Sequence, residues 1–534
     1  MQKLQTFDYV VFLFYFVLVS GYGYWIYKKK QAKQTSTKDF FLAEGSLTWW
    51  AIGASLIASN ISAEQMIGMS GNGFSMGLAI STYEWMAAAT LIVVGVVFMP
   101  IYLKNKIFTM PQFLNQRYNS TVSLIMAIFW LALYILVNLT SILYLGALAV
   151  SGISGIDFTV CMIGLAIFAI IITIGGMKVI GFTDVIQVFF LVIGGLATTY
   201  LAVTLVSMEY DGVSSLTNGL KLMTEKSDTH FHMIFKKGDP HYMALPGLTV
   251  LFGGMWIVNL NYWGCNQYIT QRALGADLKT AREGILFAAF LKLLMPVIVT
   301  LPGIAAYTLY QKGLFQQEML GADGTFNQDN AYPVLLNLLP IGLKGLSFAA
   351  LTAAIVASLA GKANSISTIF TLDIFKNYIG KNASEKHLVL IGRITIVVSM
   401  ILAIAVSPYM GIDKKGGFQF IQEMTGLLSP GIFAAFAMGF FWKRTNSAGA
   451  LFAIVGGFLI ALWMHNYLET IPFLDRMGMV FLICVAVMFV LGFVLPDEGK
   501  GLEIDASMFK VQGIFGVGAT IVLVIIAFLY WYFW

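Results

Sequence analysis

The chain has 534 residues, of which 58% are hydrophobic, 14% aromatic and only 11% charged, with a formal net charge of +5. Its mean hydropathy is +0.80. A soluble domain is nearer half apolar and a quarter charged, so this composition excludes one large soluble core and defines a polytopic membrane protein. The positive charge is scattered between apolar stretches, which reads as loop bias rather than a nucleic-acid surface.

In chain order, the apolar run 10–27 lacks the basic start of a cleaved signal and is too long for one, so it reads as the first span. A basic cluster, Lys28, Lys29, Lys30 and Lys33, follows it directly. Windows of about 20 apolar residues predict about fourteen transmembrane helices, centred near residues 18, 59, 91, 134, 166, 194, 257, 294, 357, 396, 430, 456, 485 and 522. Short basic connections at 28–46, 103–120, 270–283, 376–386 and 443–444 alternate with connections at 70–79 and 152–156 that carry no Lys or Arg. The positive-inside rule then puts both termini outside the cytoplasm. The longer connections 207–246 and 312–342 fall on the outer side. His230 and His232 read there as part of a solvated loop rather than a metal site. Cys161, Cys265 and Cys484 all lie in apolar stretches, so they read as small core residues and not as a disulfide framework.

The second span, SLIASNISAEQMIGMSGNGFS at 55–75, carries Ser59, Asn60, Ser62, Glu64 and Gln65, then Gly68, Gly71 and Gly73. Polar side chains and helix-loosening glycines at membrane depth are costly unless they line a cavity or coordinate something. The seventh span is interrupted in the same way at NLNYWGCNQY, 259–268. Five spans separate the two interruptions, an odd number, so the halves have opposite orientations. Paired interrupted helices point to an all-α inverted-repeat transporter with substrate and ion sites at the breaks. The proposed repeats are 47–206 and 247–442, with an extra first helix at 8–27 and added C-terminal helices at 446–534.

Glu84 and Lys292 lie inside the third and eighth spans, where an ionised group needs a partner or a wet cavity. Asn60, Glu64, Gln65, Asn259, Gln267 and Gln422 add amides and acids. Amides both donate and accept, which suits a hydroxyl-covered ligand, and Tyr262 and Trp263 supply an aromatic face. An anion would call for an arginine, and none is expected in mid-span. The ninth span offers Ser358, Lys362, Asn364, Ser365, Ser367 and Thr368, for close helix packing or as oxygen ligands to a small hard cation. Asp184 opens the sixth span as a helix cap or an ion relay. HExxH, GxSxG and GxxxxGK[ST] are absent, so an enzyme is not expected.

At SLIASNISAEQMIGMSG, YEWM, VNLNYWGCNQYITQR, FAAFLKL, FIQEMTGLLSPG and GGMKVIGFTDVIQV the chain resembles the sodium/solute symporter family. Within it the chain looks most like the sodium/glucose cotransporters and the bacterial sodium/galactose cotransporter. The likeness runs from about residue 8 to the last span. It implies a five-plus-five inverted-repeat core of leucine-transporter type that moves solute inward by alternating access. It also implies sugar contacts at Asn60, Ser62, Glu64, Gln65, Glu84, Asn259, Lys292 and Gln422, with Tyr262 as inner gate. Met69, Tyr83 and Phe418 match an outer gate. Sodium would meet carbonyls at Ala58, Ile61 and Ala354 and the hydroxyl of Ser358, with Asp184 on the ion path.

Two positions depart from the family pattern. Ala87 replaces a serine near the sugar. In the ninth span one of two adjacent sodium-binding hydroxyls is lost at Ala357, and Lys362 stands where the family has an apolar residue. Residues i and i+4 share a helix face, so Lys362 reaches back toward the cation site, with Asp184 as a partner when it swings away. The expected function is sodium-coupled uptake of a glucose- or galactose-type monosaccharide through the inner membrane, by a functional monomer surrounded by lipid, with no organic cofactor and no nucleic acid. The alternatives are proton-coupled or loosely coupled sugar transport with Lys362 in the cation site, symport of myo-inositol or a sialic acid, and a sugar sensor without net flux.

Overall fold

The computed structural model describes residues 4–30, 47–321, 324–409, 417–496, 501–511 and 513–534. Lys33, and with it most of the 28–46 connection, lies outside the described residues. All fourteen expected centres fall within helix. Among the described residues, ten helices are long and apolar enough to cross a membrane, or eleven if one bent pair counts as a single span. The other expected spans are short for physical reasons. The second and seventh are broken, and the fifth, Phe158–Ile174, has only 17 residues.

The helices that position the site follow in chain order. The first, α1, is Thr6–Lys30. The second span divides into α2, Trp49–Asn60, a π-helical turn α3, Glu64–Met69, and α4, Ser70–Met76. The third begins with α5, Thr82–Val93, and the sixth is α6, Met177–Asp211. The seventh divides into α7, Gly254–Gly264, and α8, Gln267–Leu274. The eighth and ninth are α9, Leu278–Gln311, and α10, Leu343–Thr368. The eleventh is the bent pair α11, Gly417–Gly426, and α12, Ser429–Phe441, at 48°.

The break in the second span falls at 61–63, not at the glycines. Ile61 leaves the helix with extended dihedrals, φ −77° and ψ 111°. Ser62 N–H then donates to Gln65 Oε1 at 3.1 Å, and Glu64 N–H donates to Ser62 Oγ at 3.2 Å. This Ser-x-x-Gln arrangement is a capping box that restarts the helix. The glycines serve packing. A Cβ at Gly73 would sit 2.6 Å from the Thr300 carbonyl oxygen, one at Gly71 2.7 Å from Asp329, and one at Gly68 2.8 Å from Phe418. Small residues allow such close approach where the bilayer offers no hydrophobic drive between helices. The seventh span breaks at Cys265 and Asn266, the latter extended at φ −101° and ψ 121°.

Both long connections pack against one end of the bundle. Gln328 Nε2 donates to Asn72 Oδ1 at 2.7 Å. His230 is buried, stacks on Tyr307 at 3.8 Å and donates from Nε2 to the Phe74 carbonyl at 2.9 Å. His232 faces Asp228 at 3.9 Å instead. The solvated-loop expectation therefore holds for His232 and is corrected for His230, whose ring wedges under α4. The same end carries both termini. Asp8 accepts from the Gly342 and Gly345 N–H groups at 2.8 and 3.0 Å, and Met233 N–H donates to the Phe533 carbonyl at 2.8 Å.

Candidate substrate and ion site

The helix breaks open onto a cavity lined by side chains of both broken spans. Its wall includes Asn60, Glu64, Gln65, Glu84, Asn259, Tyr262, Trp263, Lys292 and Gln422. Ser62, grouped with them on sequence, stands behind the wall in its cap with Gln65. Because Gln65 spends its oxygen on that cap, its amide N–H is the group left for a ligand. Ala87 lines the cavity where a serine would have pointed a hydroxyl.

Lys292 is buried and does not reach an interface. Its ammonium donates to Asn60 Oδ1 and Glu84 Oε2 and lies 5.3 Å from the centre of the Trp263 ring. Asn60 Nδ2 in turn donates to the Tyr262 hydroxyl at 2.8 Å, which also accepts from the Tyr268 hydroxyl. Tyr262 is thus pinned from both broken spans, with its ring edge-on to Trp263 at 5.1 Å. On the opposite flank Tyr83 and Phe418 meet edge to face at 5.1 Å, and both border the cavity. Met69 is buried in α3, outside the cavity wall.

At the break of the second span, Ser358 Oγ donates to the Ser59 carbonyl at 3.0 Å. The Ala58 carbonyl would accept from Ser62 N–H in an unbroken helix, but that N–H turns to Gln65. The freed backbone oxygens at Ala58 and Ile61 fit a small hard cation, which takes oxygen ligands. Ala354 and Ala357 are buried on the facing helix α10, and Ala357 brings no oxygen of its own side chain.

Lys362 departs from its expected partner. Its ammonium lies 4.0 Å from Glu64 Oε1 and 5.0 Å from the centre of the Tyr268 ring, inside the cavity wall. Asp184 instead accepts from Ser55 Oγ. Arg272 donates to the same Ser55, from Nε to its carbonyl at 3.1 Å and to Oγ at 2.9 Å, and from Nη1 to the Tyr268 carbonyl. Arg272 is buried in the last turn of α8, so this charge of the 270–283 connection turns into the protein. Gln267, grouped on sequence with the cavity amides, is buried outside the wall and accepts from Met110 N–H at 2.8 Å. Arg117 is also buried, bonded to the carbonyls of Gly439, Trp442 and Lys443 at 2.9 to 3.0 Å.

Sequence reasoning missed Trp130, Asn138, Asn261, Asn266, Thr425 and Ser429, which also line the wall. Asn138 had a usable signal, being a lone amide in an apolar span. It sits in a π-helical segment, Leu133–Leu139, of the kind that recurs at functional sites.

Two broken helices that turn amides and paired charges into one cavity of a membrane bundle define a secondary transporter. The model of the sodium:solute symporter family matches residues 40–457. The sodium/glucose cotransporter of Vibrio parahaemolyticus is 46% identical over 99% of both chains. The human sodium/myo-inositol cotransporter 2 is 34% identical over 86% of this chain and 70% of its own. The solved structure of a substrate-bound, outward-open Na+-coupled sialic acid symporter superposes with a TM-score of 0.80 at 22% identity, covering 93% of this chain and 99% of that one. The chain belongs to the sodium:solute symporter family. It is a multi-pass membrane transporter, not an enzyme, with the five-plus-five inverted-repeat core of leucine-transporter type.

Proposed function

We propose that this chain couples inward sodium flow to uptake of a neutral monosaccharide of glucose or galactose type. The observation that carries this is the charge balance of the cavity. Lys292 is paired with Glu84 and Lys362 faces Glu64, so the site offers hydrogen-bonding power without net charge. A hydroxyl-covered guest suits it, whereas the carboxylate of a sialic acid would meet ammonium groups already matched by acids. The 46% identity to a sodium/glucose cotransporter supports the same reading.

In this reading Asn60, Gln65, Glu84, Asn259, Lys292 and Gln422 hold hydroxyls, and Tyr262 closes the cavity toward the cytoplasm. Tyr83, Phe418 and Met69 close it from outside. Sodium rides on Ala58, Ile61, Ala354 and Ser358 and leaves past Asp184. The repeats span 47–206 and 247–442, the termini face outward from the cytoplasmic membrane, and one chain is the working unit. A second reading, proton coupling with Lys362 supplying the positive charge, draws on the missing hydroxyl at Ala357.

The test is accumulation of labelled galactose and glucose in proteoliposomes, with sodium replaced by choline at fixed pH. Accumulation that requires a sodium gradient supports the first reading. Accumulation driven by a proton gradient without sodium supports the second and overturns the first.

A further inference from the structure

We propose that Lys362 is a substrate-binding residue, and that its ammonium and the Glu64 carboxylate together clamp one hydroxyl of the sugar. The inference rests on the reading of the cavity as a sugar site. It assigns Lys362 to the substrate rather than to the cation.

The two lysine–carboxylate pairs of the cavity differ in one respect. Lys292 touches Glu84 directly and is also held by Asn60. That pair is closed and its geometry is fixed. Lys362 and Glu64 stand 4.0 Å apart, beyond a direct hydrogen bond. Among the described residues no group donates a hydrogen bond to Glu64 Oε1, although the atom is buried. A buried carboxylate oxygen without a donor is costly, so this one calls for a guest.

A hydroxyl has the chemistry for the gap. It donates its proton to the carboxylate and accepts from the ammonium. Two contacts of about 2.8 Å close over a 4.0 Å base with an angle near a right angle at the oxygen. An ammonium and a carboxylate on one hydroxyl make both contacts of the stronger, charge-assisted kind. Lys362 is only 3% exposed and borders the same cavity as Tyr262, so it cannot snorkel to water. Its ammonium rests against the face of Tyr268, the residue that bonds Tyr262, which puts the clamp beside the closing ring.

The experiment compares wild type, K362M and the charge-neutral pair E64Q/K362M in counterflow, using the preferred sugar and its series of single-deoxy analogues as inhibitors. In wild type one deoxy analogue is expected to bind about ten- to hundredfold more weakly than the parent, the size of a hydrogen bond to charged groups. In both variants the parent should fall to the level of that analogue, while the analogue itself changes by less than about threefold. The sodium concentration for half-maximal counterflow should stay within about twofold. Two outcomes overturn the proposal: an equal loss for the parent and every analogue, or an unchanged sugar preference with a shifted sodium requirement. Wild-type counterflow tests the sugar reading separately, and its absence for every sugar would defeat both.

Discussion

Lys292 is held from two sides, by Asn60 and by Glu84, and all three are buried. Removing one partner of a buried pair leaves a naked charge, at a cost of about 3–5 kcal/mol. K292M should therefore lower the thermal unfolding midpoint in detergent, while E84Q/K292M recovers most of it; neither should accumulate sugar. Recovery of uptake by the double variant would show that the pair is scaffold only. These residues were legible from sequence because a charge inside an apolar run has few explanations. Arg272 was not, because it lies at the edge of an apolar run and reads as a loop residue until the seventh span is seen to restart at Gln267. His230 was misread for a related reason: nothing local shows that its loop folds back onto Phe74. Burial holds its ring below the usual histidine range, so the folded protein favours the neutral form. Its contribution is complete above about pH 6.5 and is lost as pH falls below that. Hydrogen-exchange protection across 228–231, taken relative to the intrinsic rate at each pH, should fall on acidification in wild type and stay level in H230N.

The second span shows what hydropathy conveys about an element and what it leaves out. The pattern announced an interrupted helix, and one is present. The position of the break was written in Ser62 and Gln65, a capping signature hidden among residues that also look like ligands. S62A should destabilise by about 1 kcal/mol through the lost cap and weaken uptake without touching the wall of the cavity. The glycines drew attention as helix breakers and turned out to be contact points. G73A places a methyl group 2.6 Å from the Thr300 carbonyl oxygen and should impair folding and uptake together, whereas Gly478 has nothing within 4 Å of its added carbon, so G478A should behave as wild type. Equal behaviour of the two in expression and uptake assays would refute the packing account.

For the whole molecule, fourteen helical centres could be read from the chain because a bilayer forces backbone hydrogen bonds into long apolar helices. The convergence of spans two, three, four, seven, eight, nine and eleven on one cavity could not be read, since it depends on contacts between residues distant in the chain. The orientation argument counted Arg117 and Arg272 as loop charges, and both are interior. Lys104, Lys106, Lys279 and Arg282, with the lysines and arginine of 28–46, 376–386 and 443–444, remain to carry it. Single cysteines at Gln5 and Trp534 should then react with a membrane-impermeant maleimide added to intact cells; labelling only after lysis would reverse the topology.

Gly303 lies so near the Ser70 carbonyl that an added Cβ would sit 2.0 Å from it, and Gly53 meets the Gly284 carbonyl on the same long helix, α9, at 2.6 Å. Backbones in such intimate register at two separate heights cannot slide past one another without a collision. Each half of the second span is thereby keyed to the eighth, so the expected route for cargo is a swing of these helices together rather than a shear between them.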